Sequence, residues 1–260
     1  MGNGYTVPCG HCMACRIKRT SEWATRIMDE AAYWKESCFM TLTFNDECLP
    51  LDGSLSKEVI QKYVKRVRKN TEKELKYYLC GEYGERNMRP HYHIIFFGLG
   101  LKDKKVLDES WGFGFTYFRP LCFEVAQYVA AYVQKKLNGE MAKEVYGERI
   151  PPFSLMSKGL GKRWALDNIE YLNKYKCITI KGKPVGIPRY YTKIAPIDLG
   201  LLDDFWADGI AVTRANEAVL KKAAKWDALG NPEDRWKLEK AKREQDDETL
   251  NEKVSRRKRK

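Results

Sequence analysis

Between Pro90 and Phe97 the chain reads Pro-His-Tyr-His-Ile-Ile-Phe-Phe, a run whose β-branched and aromatic content predicts a strand. Successive side chains on a strand leave opposite faces, so Tyr92, Ile94 and Phe96 point into a core and His91 and His93 emerge together on the other side. Two imidazoles on one face can converge on an ion. An exposed strand can also carry two histidines with no ligand role, but the chain holds only three histidines and two of them sit here.

The neighbouring segments place this strand in a sheet. Residues 75–83 read as a second strand and 84–89 as the turn of a hairpin joining it to 90–97. Residues 38–44 (Cys-Phe-Met-Thr-Leu-Thr-Phe) form another strand, and 111–118 (Trp-Gly-Phe-Gly-Phe-Thr-Tyr-Phe) a fourth, its glycines marking a bulge or a close backbone approach. A helix over 21–35 carries Trp23, Ile27, Ala31 and Trp34 at helical spacing. Ser56 caps a second, with Val59, Ile60, Tyr63, Val64 and Val67 on one side and Lys62, Lys65, Arg66 and Lys69 on the other. A third spans 123–137. The order strand, helix, strand, strand, strand, helix predicts an α+β fold, an antiparallel sheet with helices on one face and the other face free for a ligand.

The expected organisation is a Cys-rich segment and helix at 1–36, a core at 37–140, an extension packed on it at 141–210, and a charged basic tail, helical or disordered, at 211–260. Beyond Asn138 the pattern breaks into loops and short elements at Pro151-Pro152, 156–161 and 181–184.

The formal charge of +12 favours a polyanionic partner, because Lys and Arg that neutralise phosphates release counterions. No apolar run approaches the length of a membrane span, and the N-terminus lacks the basic start and apolar stretch of a secretory signal, so a cytoplasmic location is expected. Eight cysteines scattered through the chain fit free thiols better than a disulfide scaffold.

A third ion ligand is expected from the hairpin partner: Glu82, with Glu85 as the alternate. Two imidazoles, a carboxylate and open water positions suit Mn²⁺ or Mg²⁺, with Zn²⁺ also possible. Such an ion stabilises charge at phosphorus during displacement. The nucleophile can then be a side chain. Tyr128 and Tyr132 lie four residues apart on a helix, on one face and ~6 Å apart along the axis. A Tyr/Val stripe at this period also serves core packing, but Lys135 and Lys136 follow, and a cation near a phenol steadies both phenolate and phosphate. Arg86, Arg89, Lys65 and Arg66 are candidate phosphate contacts, and Tyr83 a candidate base-stacking ring.

Taken in order, 8–16 (Pro-Cys-Gly-His-Cys-Met-Ala-Cys-Arg), 39–44, Gly81-Glu-Tyr-Gly-Glu85, Arg89-Pro-His-Tyr-His93, 128–136, Met156-Ser-Lys-Gly-Leu-Gly161 and Pro188-Arg-Tyr-Tyr191 resemble the replication initiators of small icosahedral single-stranded DNA phages, the microviruses, most closely their gokushovirus-type branch. These belong to the HUH endonucleases. The resemblance implies a ferredoxin- or RRM-like core, and Tyr128 and Tyr132 as alternating nucleophiles that nick an origin in single-stranded DNA and stay joined to its 5′ phosphate. It also implies His91, His93 and Glu82 as ligands of the ion, and Lys135 as a helper. The partners implied are the origin and the host helicase and replication machinery, in the cytoplasm of a host bacterium. Ala131 departs from the pattern, in which Arg or Lys sits between the tyrosines, and moves any role of that charge toward Lys136.

Cys9, Cys12 and Cys15 have zinc-like spacing, but one segment supplies only part of a structural Zn²⁺ site. A zinc completed by Cys38, Cys48 or Cys80, a packed thiol turn and a redox-labile loop are the competing readings. Lys158-Gly-Leu-Gly-Lys162 lacks the spacing of a phosphate loop, so no built-in ATPase is expected. The rival functions are a noncatalytic single-strand-binding module with an RRM-like sheet, a plasmid-type relaxase and a tyrosine recombinase.

Overall fold

The structure, a computed structural model, describes residues 13–84, 87–132, 140–180 and 182–198. The chain clusters into two units. One comprises Ile17–Asn168 with Pro188–Ala195; the other comprises Met1–Arg16, Ile169–Ile187 and Pro196–Lys260.

In the first unit β1 (Ser37–Thr43), β2 (Lys76–Tyr83), β3 (Pro90–Phe97), β4 (Thr116–Pro120) and β5 (Phe153–Met156) form one antiparallel sheet ordered β4-β1-β3-β2-β5. The run at 90–97 is its central strand, hydrogen-bonded on both sides. Tyr92, Ile94 and Phe96 join Met40, Leu42 and Leu79 in an apolar cluster with Ile60, Tyr63, Val64 and Val67 of α2 (Lys57–Thr71) and Leu107 and Trp111 of α3 (Lys104–Trp111). Each such side chain contributes roughly 1.5–3 kcal/mol by leaving water. Ser56 caps α2 as expected, its hydroxyl accepting from the Val59 N–H at 3.2 Å.

The α+β class and antiparallel sheet are as expected, but the second face is not free along its length. Phe39, Tyr78, Cys80, Ile95 and Phe97 pack there against Ala24 and Ile27 of α1 (Met13–Ala31) and Val125, Ala126, Val129 and Ala130 of α4 (Phe123–Ala131). Period-2 alternation on β3 places Ile95 and Phe97 on the same side as His91 and His93, and that apolar half needs covering. Both faces being occupied fixes the register: a slip by one residue would bury the two histidines among α2 and α3.

Several boundaries differ from expectation. The first helix begins at Met13 rather than residue 21. Trp111 ends α3 instead of opening a strand, Gly112 closes that helix in the left-handed region at φ 65°, and β4 starts only at Thr116. The close backbone approach does occur, at Gly114, where a Cβ would overlap backbone atoms of Thr43, Phe44 and Asn45. The last expected helix of the core ends at Ala131, and 133–139 lie outside the described residues.

Past residue 139 the unit adds α5 (Glu140–Tyr146), α6 (Lys162–Asp167) and α8 (Arg189–Ile194), with β5 on the sheet edge. In the second unit the described elements are α7 (Ile169–Tyr175) and a two-stranded ribbon of β6 (Ile178–Ile180) and β7 (Lys183–Val185). The basic tail expected at 211–260 lies outside the described residues. No described helix is long and apolar enough to cross a membrane.

Candidate active site

On β2 and β3, Glu82 pairs directly with His91 and Cys80 with His93, so the carboxylate and both imidazoles leave the same face. Glu82 Oε1 lies 2.8 Å from His91 Nε2 and 3.1 Å from His93 Nε2. One ligand atom from each of the three residues falls within 4.8 Å of the others, and among the described residues this is the one such set. Glu82 and His93 are buried; His91 is partly open.

The remaining ring nitrogens determine what this trio can bind. His91 Nδ1 lies 3.2 Å from the Arg89 carbonyl oxygen, which can only accept, so Nδ1 carries the proton and Nε2 presents a lone pair when the ring is neutral. His93 Nδ1 is held by the Thr41 hydroxyl at 3.0 Å. A neutral Nε2 and a carboxylate oxygen at 2.8 Å are two acceptors in contact, an arrangement that calls for a proton or a cation between them. Two imidazoles oriented from behind and a carboxylate fit a divalent ion with mixed nitrogen and oxygen ligands. Burial works to raise the Glu82 carboxyl, but the hydrogen bonds and charge of His91 and His93 outweigh it and hold it well below the usual carboxylate range.

The tyrosines close over this trio. Val125, Ala126, Val129 and Ala130 anchor α4 in the apolar cluster, which turns Tyr128 and Tyr132 toward His93. The Tyr132 ring stacks on His93 at 4.9 Å and 13°, Tyr128 meets it edge-on at 5.4 Å, and the two phenol rings are 5.0 Å apart. The expectation that both share a face is met. Their environments differ: Tyr128 is 50% exposed and Tyr132 only 7%. Burial first, then the negative charge of Glu82 and hydrogen bonding with Tyr128 and Glu82, drive the Tyr132 phenol far above its ordinary value.

The candidate DNA contacts fare less well. Tyr83 cannot stack on a base. It alternates with Glu82, so it points to the opposite face, where it is buried, donates to the Ile150 carbonyl at 2.8 Å and stacks on Tyr146 at 5.5 Å. Arg66 and Lys65 ride on α2, across the sheet from the histidines, and Arg66 is turned inward to the Ser110 carbonyl at 2.9 Å. Arg89 bonds Asp46 at 2.7 Å and the Phe44 carbonyl at 2.9 Å, which makes it a brace for the loop before His91. Arg86, the alternate ligand Glu85, and Lys135 and Lys136 lie outside the described residues, as do Cys9 and Cys12. Cys15 lies on α1. Cys38 is a poor candidate to complete a zinc site: it is fully buried under α2 and α3, and burial pushes its thiol up to about 12.

Three residues were not anticipated. Thr41 holds His93, and Phe39 stacks on its ring at 5.6 Å. Tyr117 pairs with Thr41, which pairs with His93, so it faces the same side from the edge strand and is 59% exposed. The alternation of 39–43 carried this signal, but only once β1 is set beside β3 in register.

Residues 37–137 match the family model described as Replication-associated protein ORF2/G2P. The chain is 31% identical to the Replication-associated protein ORF2 of Spiroplasma virus 4, over 82% of its own length and 74% of that protein. It is 28% identical to the Replication-associated protein VP4 of Bdellovibrio phage phiMH2K, over 72% and 66%, and 27% identical to the Replication-associated protein ORF4 of Chlamydia phage 1, of which it spans about half, 53%. No solved structure matches. With strands β1 to β4 and the tyrosine helix all inside the matched segment, the chain belongs to the ORF2/G2P family of phage replication-associated proteins.

Proposed function

We propose that the chain is a rolling-circle replication initiator of the HUH endonuclease type, which nicks and rejoins single-stranded DNA with Tyr128 and Tyr132 as alternating nucleophiles. Glu82, His91 and His93 would hold a divalent ion, Mn²⁺ or Mg²⁺. The observation that carries this reading is the packing of both phenol-bearing rings against His93, itself one of three converging ion donors. A noncatalytic binding module has no use for that coincidence.

An ion held there would supply positive charge to the scissile phosphate as negative charge builds on it. The other steps belong to the chain's own groups. A phenol oxygen attacks phosphorus, the new O–P bond replaces the bond to the 3′ oxygen, the phenol gives up its proton and the departing oxygen gains one. The 5′ phosphate remains on the tyrosine. Attack by a 3′ hydroxyl reverses these changes and reseals the strand, so no nucleotide cofactor is required. A second phenol 5.0 Å from the first can make the second cut while the first is still esterified, which releases a circle. Tyr128, half-exposed, is the phenol an arriving strand meets, and we assign it the first cut. Lys135 and Lys136 would steady phenolate and phosphate, and the host replication machinery would extend the freed 3′ end.

The test is nicking of a single-stranded origin oligonucleotide with Mn²⁺. Cleavage should vanish in chelator and fall at least a hundredfold in His91→Ala; unimpaired cleavage in either case would remove the ion from the account.

A further inference from the structure

Two of the sequence segments, Met156–Gly161 and Pro188–Tyr191, play no part at the ion site, yet the fold gathers them around α1. Tyr191 donates to the Asp29 carboxylate at 2.6 Å, and the Gly161 N–H donates to Glu30 at 2.8 Å. A Cβ on Gly161 would strike the Tyr191 hydroxyl, so that glycine gives the tyrosine its seat. Arg26 donates through both Nε and Nη2 to the Leu160 carbonyl, at 3.2 and 3.1 Å. Its guanidinium is clamped between the rings of Trp23, 4.0 Å away, and Tyr190, 3.9 Å away. This construction borders a cavity of about 210 Å³ lined by Glu22, Trp23, Arg26, Arg189, Tyr190 and Lys193.

We propose that this cavity is a second DNA subsite, which holds a backbone phosphate of the single strand a few nucleotides from the scissile bond; it rests on the reading of the chain as acting on single-stranded DNA. Three cations against one carboxylate line it. Arg189 and Lys193 are exposed and four residues apart on α8, hence on one side of that helix. Arg26 keeps Nη1 for a guest, and a guanidinium fixed between two rings has already lost the rotamer freedom that binding would otherwise cost. The volume is below the roughly 300 Å³ at which pockets for whole small molecules begin, which suits one phosphate of a polymer better than a free cofactor. The position suits it too. The Trp23 ring packs on Tyr78 at 5.1 Å, and Tyr78 lies four residues before Glu82 on the same face of β2, ~13 Å along the strand.

Anisotropy of a labelled single-stranded oligonucleotide, titrated with protein over a salt series, reads the proposal. The double variant Arg189→Ala, Lys193→Ala changes two exposed side chains. It should bind about tenfold more weakly, with a log–log salt slope shallower by about 0.7, the value for one fewer neutralised phosphate on a single strand. The charge-matched control Lys102→Ala, Lys105→Ala should weaken binding less than twofold. Equal weakening in both double variants, or unchanged affinity at the pocket while nicking depends on His91, would overturn the subsite and leave the active site standing. Competition by inorganic phosphate or a mononucleotide that differs between wild type and the pocket variant, without a difference for the oligonucleotide, would overturn it in favour of a free-phosphate site. No binding of single strands by the wild type overturns both readings.

Discussion

His91 Nε2 and Glu82 Oε1 face each other at 2.8 Å, and because the Arg89 carbonyl holds an imidazole proton on Nδ1, a neutral His91 ring leaves two lone-pair atoms in contact. A cation between them would relieve that opposition, with His93 available as a third ligand. Glu82→Gln keeps the shape but removes the charge and offers a weaker donor. Calorimetric titration with Mn²⁺ should show affinity at least a hundredfold weaker in Glu82→Gln, and one ion per chain in the wild type. Equal affinity in the two proteins would detach the carboxylate from the ion.

Tyr117, unlike Tyr83, is a ring that the edge strand exposes on the histidine side of the sheet. Stacking of a base on an aromatic ring is worth ~1–3 kcal/mol, so Tyr117→Ala should weaken single-strand binding about tenfold. Tyr83→Phe removes a buried hydroxyl that bonds the Ile150 carbonyl and the Leu55 N–H, and should lower stability by about 1–3 kcal/mol with little effect on the affinity of the folded protein. Anisotropy and urea denaturation separate the two effects.

Burial raises the Asp29 carboxyl to about 7, against the pull of the Tyr191 hydroxyl bond. The folded chain therefore binds this proton more tightly than the unfolded chain, whose value is 3.8. The resulting stabilisation is fully present below the unfolded value and is lost as pH rises through about 7, on the order of 4 kcal/mol in all. Denaturation across pH 4 to 8 should show that decline in the wild type and a flatter profile in Asp29→Asn. Parallel profiles would contradict it.

Gly161 sits at φ 74° with the Tyr191 ring where a side chain would go. Gly161→Ala combines a left-handed backbone cost of roughly 1–2 kcal/mol with that collision. Its melting temperature should fall by several degrees, and more than that of Gly147→Ala, which has a similar φ of 58° but open space around it.

What the sequence made legible is what depends on period and local chemistry: the central strand and its two-faced pattern, the hairpin that brings Glu82 to His91, the Ser56 cap and the close approach at Gly114. What it hid depends on which surfaces meet. An amphipathic helix displays its apolar stripe but not the sheet face it will cover, so α1 and α4 went to the wrong side of the expectation. The four residues of β5 are too few for a period, and Trp111 reads as strand until its indole is seen donating to the Thr43 carbonyl at 2.9 Å from the end of a helix. Tyr83 was legible and misjudged. A strand that turns Glu82 toward an ion must turn Tyr83 away from it.

In the proposed mechanism the two phenols packed on His93 are the groups to which DNA becomes attached. Intact-mass spectrometry of protein incubated with Mn²⁺ and an origin oligonucleotide measures it directly. The wild type should gain the mass of the 5′-phosphorylated downstream fragment, Tyr128→Phe should gain far less, and the double variant Tyr128→Phe, Tyr132→Phe none. An adduct of undiminished yield in the double variant would contradict the account.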